Sequence, residues 1–217
     1  MTKEIYLKRY TEIPSLLYML QSKSITMLNP SRWDDKNDAR CLESYKKIKG
    51  LKTLLSLCFT EAEETYHHWK VYASDGGVGG VCIIFKKEDL INSLKIYDKL
   101  RCRKVDYLKV EELEKSILDI EILPFLKRYG YQDEQEFRFV YADKDKTMGS
   151  KNLKFSLELI DRICINPWIN HDLATSLEKT IQRIDGCEKI KITKSTLVNN
   201  LKWAEFADKI TNPNILK

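Results

Sequence analysis

Hydrophobic and polar positions along the chain change period repeatedly, and each change marks an element. The opening EIYLKRY alternates as a strand. Thr11-Glu12-Ile13-Pro14 reads as a cap followed by proline in a first helical turn. Ile13, Leu16, Leu17 and Leu20 recur at helical spacing, which predicts a short amphipathic helix to about Lys23. A second strand is expected over residues 24–28. Asn29-Pro30-Ser31 breaks it ahead of an acidic loop running from Trp33 to Asp38. The continuous apolar run KTLLSLCF suits a buried strand, and HHWKVYA suits a short aromatic helix. Gly76-Gly77-Val78-Gly79-Gly80 turns sharply into a second buried strand over residues 81–85.

A short helix near Lys87 to Leu94 and a strand over residues 101–107 come next. Val110, Leu113, Ile117 and Ile120 mark a helix that Pro124 ends or kinks. Residues 134–141 alternate cleanly: Gln135, Phe137, Phe139 and Tyr141 point one way, and Glu134, Glu136, Arg138 and Val140 the other. A strand over residues 160–165 leads to a helix that begins at Asn170 and carries Leu173, Leu177, Ile181 and Ile184. Gly186 is expected to cap that helix, and residues 189–192 return as a strand. Strands and helices are intermixed without an internal repeat or a long linker, so the expected architecture is one α+β domain over residues 1–217.

Composition agrees with this picture. The 217 residues are 43% hydrophobic, 32% charged and 10% aromatic, enough apolar surface to offset the ordering entropy of one folded core. No apolar run approaches the roughly 20 residues that span a bilayer, and the start lacks a signal peptide, so a soluble, cytoplasmic protein without membrane association is expected. Six scattered cysteines, most of them inside apolar or strand-like segments, suit small buried hydrophobes in a reducing compartment, not disulfides or a zinc site. The net charge of +5 permits an anionic partner without requiring one, because a solvated lysine-rich surface has the same total.

Five motifs in order carry a resemblance: Arg9-Tyr10, Trp33-Asp34-Asp35-Lys36, Trp69-Lys70-Val71-Tyr72-Ala73, Gly80-Val81-Cys82-Ile83-Ile84-Phe85 and Glu134-Gln135-Glu136-Phe137-Arg138. In this the chain resembles the bacterial family known as domain of unknown function twenty-nine seventy-one. Two positions depart from its pattern, since Asp34 stands where the family has Asn and Lys36 where it has proline. The order of basic-aromatic strand, helix, central aromatic segment and late Glu-x-Glu strand is more distantly similar to ADP-ribosyltransferases, including toxin-type enzymes that modify nucleic acid. That resemblance implies a mixed or antiparallel split sheet with flanking helices, and NAD as substrate.

It also implies roles. Transfer of ADP-ribose passes through an oxocarbenium-like state that a carboxylate beside the ribose stabilises, a part assigned to Glu136. Glu134, about 7 Å away on the same strand face, would orient or deprotonate the acceptor. Arg138 would hold Glu136 or grip a phosphate. Arg9 or Tyr10 would contact the adenosine ribose or a pyrophosphate oxygen, Trp69 and Tyr72 would stack on nicotinamide, and Asp34, Asp35 and Asp38 would position a substrate hydroxyl or bind a metal. The expected acceptor is nucleic acid (RNA or DNA) or protein, with a neutralising antitoxin as a partner if the protein is a toxin or anti-phage effector.

Each residue also has a plainer reading. The charged strand face equally suits solvated ion pairs, Tyr10 suits the core, and aromatics at helical spacing are more often core. Two other functions stay open: a non-catalytic module that binds nucleic acid or protein, and a metal-dependent nuclease using Asp34, Asp35 and the late glutamates. A bound metal is not expected, because the acidic loop lacks the calcium-loop pattern and His67 and His68 diverge on a helix.

Overall fold

A computed structural model describes residues 4–73, 79–113 and 119–211. In chain order the elements are β1 (Tyr6–Glu12), α1 (Ile13–Ser22), β2 (Ser24–Leu28), α2 (Lys36–Ile48), β3 (Thr53–Thr60), α3 (Tyr66–Tyr72), β4 (Gly80–Lys86) and α4 (Lys87–Leu94). They continue with β5 (Leu100–Lys104), β6 (Asp106–Leu108), α5 (Val110–Leu113), β7 (Leu126–Arg128), β8 (Glu136–Asp143), β9 (Ser150–Lys154), β10 (Ile160–Ile165), α6 (His171–Gln182), β11 (Lys191–Lys194) and α7 (Leu201–Thr211). Short 3-10 turns at Pro30–Arg32, Ile120–Phe125, Tyr129–Glu134 and Leu157–Leu159 link them.

Among the described residues nine strands form one mixed, largely antiparallel sheet that branches at β3. One edge of β3 pairs with β8 along its whole length, from Thr53 opposite Asp143 to Thr60 opposite Glu136, and β5 adds beyond β8. The other edge is shared. β2 meets it only at Ser56, opposite Leu28, and β1 meets it only at Thr60, opposite Lys8. Between those two points β1 and β2 diverge and the sheet splits. β4, β10 and β11 extend outward from β1, and β9 from β2. The expected α+β fold with a split sheet and flanking helices is therefore what the chain adopts.

One face of the sheet carries the main core, in which Leu7, Leu55, Leu57, Phe59, Ile83, Phe85, Phe137 and Phe139 pack with Leu16 and Leu20 of α1, Leu90 of α4 and Ile181 of α6. The other face is covered in two separate patches. Leu42 and Tyr45 of α2 pack on Leu54 and Val140, and Trp69 of α3 packs on Cys82 and Ile84. The groove between these patches lies over the split.

Several expected elements are moved by tertiary context. The strand expected over 101–107 breaks at buried Val105, and its second half leaves the main sheet as β6 to pair in parallel with β7. The helix expected from Val110 is a single turn to Leu113 in the described residues, and Ile117 lies outside them. Pro124 sits inside a 3-10 turn. The acidic loop is the start of α2, whose N-terminal N–H groups at Asn37 and Asp38 donate to Asp35 Oδ1. Helix α6 ends at Gln182, and Gly186, at φ +85°, reverses the chain afterwards. The last strand of the sheet, β11, begins two residues later than expected, after buried Ile190. Residues 76–78 of the glycine loop lie outside the described residues, but Gly80 has a clear role: a Cβ there would stand 2.1 Å from the Ala73 carbonyl oxygen.

Candidate active site

A cleft of about 590 Å³ opens where the sheet splits. This is the size of small-molecule sites in general. Its floor is the cleft side of β3, from Ser56 to Thr60, and one wall is Lys8, Arg9 and Tyr10 of β1 with His68, Val71 and Tyr72 of α3. The facing wall is Trp33, Asp34, Asp35 and Asp38 with Lys127, Tyr131, Glu134 and Glu136. Eight of the ten residues singled out in the sequence thus border one hollow: Arg9, Tyr10, Asp34, Asp35, Asp38, Tyr72, Glu134 and Glu136.

The other two, Trp69 and Arg138, do not reach it. Trp69 is 1% exposed, its ring edge against Tyr10 at 5.0 Å and its indole N–H donating to Glu64 Oε1 at 2.6 Å, so it seats Tyr10 and presents no surface for a ligand to stack on. Arg138 has no exposed surface, which rules out gripping a phosphate and leaves the other expected part, holding Glu136. Its five N–H groups are all taken. Nε and Nη2 donate to the two oxygens of Glu136 at 2.6 and 2.9 Å, Nη1 and Nη2 to Asp38 at 2.9 and 2.6 Å, and Nη1 also to the Pro124 carbonyl at 2.9 Å. The Trp33 ring lies 5.1 Å from the guanidinium carbon.

Glu134 is not on the strand. Gln135 adopts φ +41°, a left-handed conformation that ends the preceding 3-10 turn and starts β8 at Glu136, so the pair is not a two-residue step along one strand face. The carboxylates still come together, because Lys127 of β7 lies between them. Its ammonium is 2.5 Å from Glu134 Oε2, 3.5 Å from Glu136 Oε2 and 3.9 Å from Asp38 Oδ2. The Tyr72 hydroxyl crosses from α3 to donate to Glu134 Oε1. The Glu136 backbone N–H donates to the Tyr107 hydroxyl at 2.8 Å.

Three carboxylates and two cations share this nearly dry site, leaving an excess of one negative charge when all are ionised. Burial works to raise the Glu136 pKa, but Arg138 and Lys127 outweigh it and hold the carboxyl at about 2. Burial opposes the Lys127 charge as well, and Glu136 and Glu134 overcome it to hold the ammonium above the ordinary lysine range. Asp38 goes the other way: burial exceeds the pull of Arg138 and raises its pKa. Burial keeps the Tyr72, Tyr10 and Tyr107 phenols protonated far past neutral pH.

On the opposite wall Arg9, one residue out of phase with Tyr10, reaches into the split and donates from Nη1 to the Cys58 carbonyl at 3.0 Å, an oxygen on the part of the β3 edge that no strand covers. Tyr10 stacks on His68 at 5.3 Å with the rings 16° apart. Burial, then His67, lowers the His68 pKa, so the ring is neutral at neutral pH. Its Nδ1 pairs with Thr65 Oγ1 at 2.6 Å, while Nε2 is buried without a hydrogen bond of normal geometry. Asp35 and Asp34 stand on the rim, Asp35 committed through one oxygen to capping α2. Among the described residues no three His, Cys, Asp or Glu side chains are arranged to hold a metal ion, and no helix is long and apolar enough to cross a membrane.

Sequence reasoning did not single out Lys127, His68 or the Asp38 bond to Arg138. The basic pair Lys127-Arg128 directly after the apolar stretch Ile122 to Leu126 was the available signal for Lys127. For α2 the signal was Asp38, Leu42 and Tyr45 at helical spacing behind a capping Asp35.

No protein-family model matches the chain, so the family resemblance is not confirmed, and no curated protein matches it either. Among solved structures, DarT of Thermus sp. 2.9 in complex with NAD+ is similar over 89% of this chain and 96% of its own, with TM-score 0.49 and 11% identity. DarT of Thermus sp. 2.9 in complex with ADP-ribosylated ssDNA is similar over 89% and 95%, with TM-score 0.48 and 12% identity, and in complex with carba-NAD+ over 90% and 97%, with TM-score 0.46 and 10% identity. A likeness this slight carries no conclusion about the activity of the present chain.

Proposed function

We propose that the cleft binds NAD and that the protein transfers ADP-ribose from it to an acceptor on nucleic acid or protein. The observation that carries this reading is the meeting of Arg9 and Tyr10 from β1 with the Glu134 and Glu136 carboxylates in one hollow at the split of the sheet. In the reaction the bond from the nicotinamide nitrogen to the ribose carbon breaks, and nicotinamide leaves with the electron pair. The ribose carbon gains positive charge, which the fixed, ionised Glu136 and the net negative charge of its cluster stabilise without reorganisation. Glu134 orients the acceptor and receives its proton as the new bond to the ribose carbon forms. The exposed aromatic side of Tyr72 supplies a flat surface for the nicotinamide ring. Modification of a cell's own nucleic acid would make the protein a toxin or anti-phage effector, the setting in which a neutralising partner is expected.

Incubation with radiolabelled NAD and cell lysate, followed by nuclease or protease treatment, tests the reading and identifies the acceptor class. Label is expected in macromolecules with the native chain and is lost by at least about a hundredfold with Glu136→Gln. No NAD binding and no label transfer would end the proposal.

A further inference from the structure

We infer that Lys127 is a positioning residue of this site: its ammonium holds the Glu134 carboxylate against the Tyr72 hydroxyl and beside Glu136, so that the two glutamates face the cleft as one fixed pair. This rests on the reading of the cleft given above, and its geometry stands independently of the reaction.

Arg138 cannot do this work, because all five of its N–H groups are spent on Glu136, Asp38 and the Pro124 carbonyl. Among the described residues Lys127 is the one cation within ion-pair distance of Glu134. Three carboxylates approach it from three elements: Glu134 from the 3-10 turn before β8, Glu136 from β8 and Asp38 from α2. A compact ammonium with three rotatable donors suits acceptors converging from different directions, where a planar guanidinium fork would not. The Tyr131 ring covers it at 4.7 Å. Glu134 itself has no strand to fix it, since Gln135 turns the chain away from β8 geometry. The Thr60 hydroxyl holds its backbone carbonyl at 2.5 Å, and its carboxylate is placed by side-chain partners, Lys127 on one oxygen and Tyr72 on the other. Besides the three carboxylates, the ionisable groups facing this ammonium are Tyr131 and Tyr107, while Arg138 and Cys58 lie behind Glu136 and Tyr72 behind Glu134.

Removing the positive charge leaves three buried carboxylates facing one arginine, so Glu136 and Asp38, whose ionised forms Lys127 favours, ionise less readily. In Lys127→Met the acid limb of the NAD-transfer pH profile is expected to move up by about one pH unit, while Lys127→Arg, which restores the charge but not the ammonium geometry, keeps the limb in place at a lower turnover. A role limited to folding would lower turnover equally at every pH, and an unmoved acid limb in Lys127→Met overturns the inference. A second measurement needs neither a folded Lys127→Met protein nor any reaction: the ¹⁵N signal of the Lys127 ammonium in the native chain. It is expected to persist above pH 10.5, the ordinary lysine value, and to shift when Glu134→Gln is introduced. Titration at the ordinary value, or no response to Glu134→Gln, overturns the inference. Absence of NAD turnover together with a persistent ammonium signal would end the proposed reaction and leave the positioning role standing.

Discussion

On one face of β8, Phe137, Phe139 and Tyr141 are 5%, 1% and 6% exposed, and on the other Glu136, Arg138 and Val140 are 4%, 0% and 2% exposed. Burial is the same, but the energetics are opposed. The first face joins the main core, where each phenylalanine contributes about 2–3 kcal/mol by leaving water. The second face takes charges out of water at a cost of several kcal/mol per ion, offset only because every guanidinium N–H finds an acceptor. A well-packed apolar face would serve stability as well or better. Groups held at that expense beside a cleft make this face of the strand the candidate for chemistry.

The contrast breaks most sharply on substitution. Arg138→Met strands two buried carboxylates and is expected to lower the urea-derived unfolding free energy by about 3–5 kcal/mol. Phe139→Ala costs about as much by leaving a cavity. The faces then part company. Adding Asp38→Asn and Glu136→Gln to Arg138→Met is expected to recover about half of the loss or more, because the stranded charges are gone, whereas the same changes added to Phe139→Ala recover nothing. Failure of the triple variant to recover stability would mean that the charged face packs like the apolar one.

Acid titration sharpens the comparison at a smaller scale. The folded Glu136 carboxyl titrates at about 2 against an ordinary 4.5, so its contribution is fully present above pH 4.5 and is lost as pH falls from there toward 2. The shift corresponds to about 3 kcal/mol, part of which Asp38 cancels, since its raised pKa makes the fold gain on protonation. Urea midpoints at stepped pH are expected to show the native chain losing about 2 kcal/mol more than Glu136→Gln over that interval. Parallel pH curves for the two proteins would refute it. The smallest effect belongs to the hydroxyl that spans the cleft: Tyr72→Phe is expected to cost about 1 kcal/mol in thermal unfolding. An unchanged melting temperature would show that Tyr72 contributes no more to the fold than its ring.

Local pattern was a good guide where a segment's own periodicity matched its final surroundings. Residues 24–28 and 87–94 form the strand and helix expected of them. The alternation from Phe137 to Tyr141 correctly separated the two faces of β8. It misled at Glu134, where an uninterrupted alternation runs through a residue at φ +41°. It also missed α2, whose capping aspartate resembles the acidic turn residues of any loop.

Strand polarity, the charged and apolar faces of β8 and the presence of an acidic pair were thus written into the residues themselves, because side-chain period and backbone geometry act over a few positions. Which charge meets which was decided elsewhere. Asp38 and Arg138 are 100 residues apart, and Lys127 reaches the site only because β6 and β7 leave the main sheet. The split that opens the cleft exists because β1 and β2 each touch β3 at a single register point. Such pairings follow from strand order, register and desolvation across the whole chain, so they come into being only when it folds.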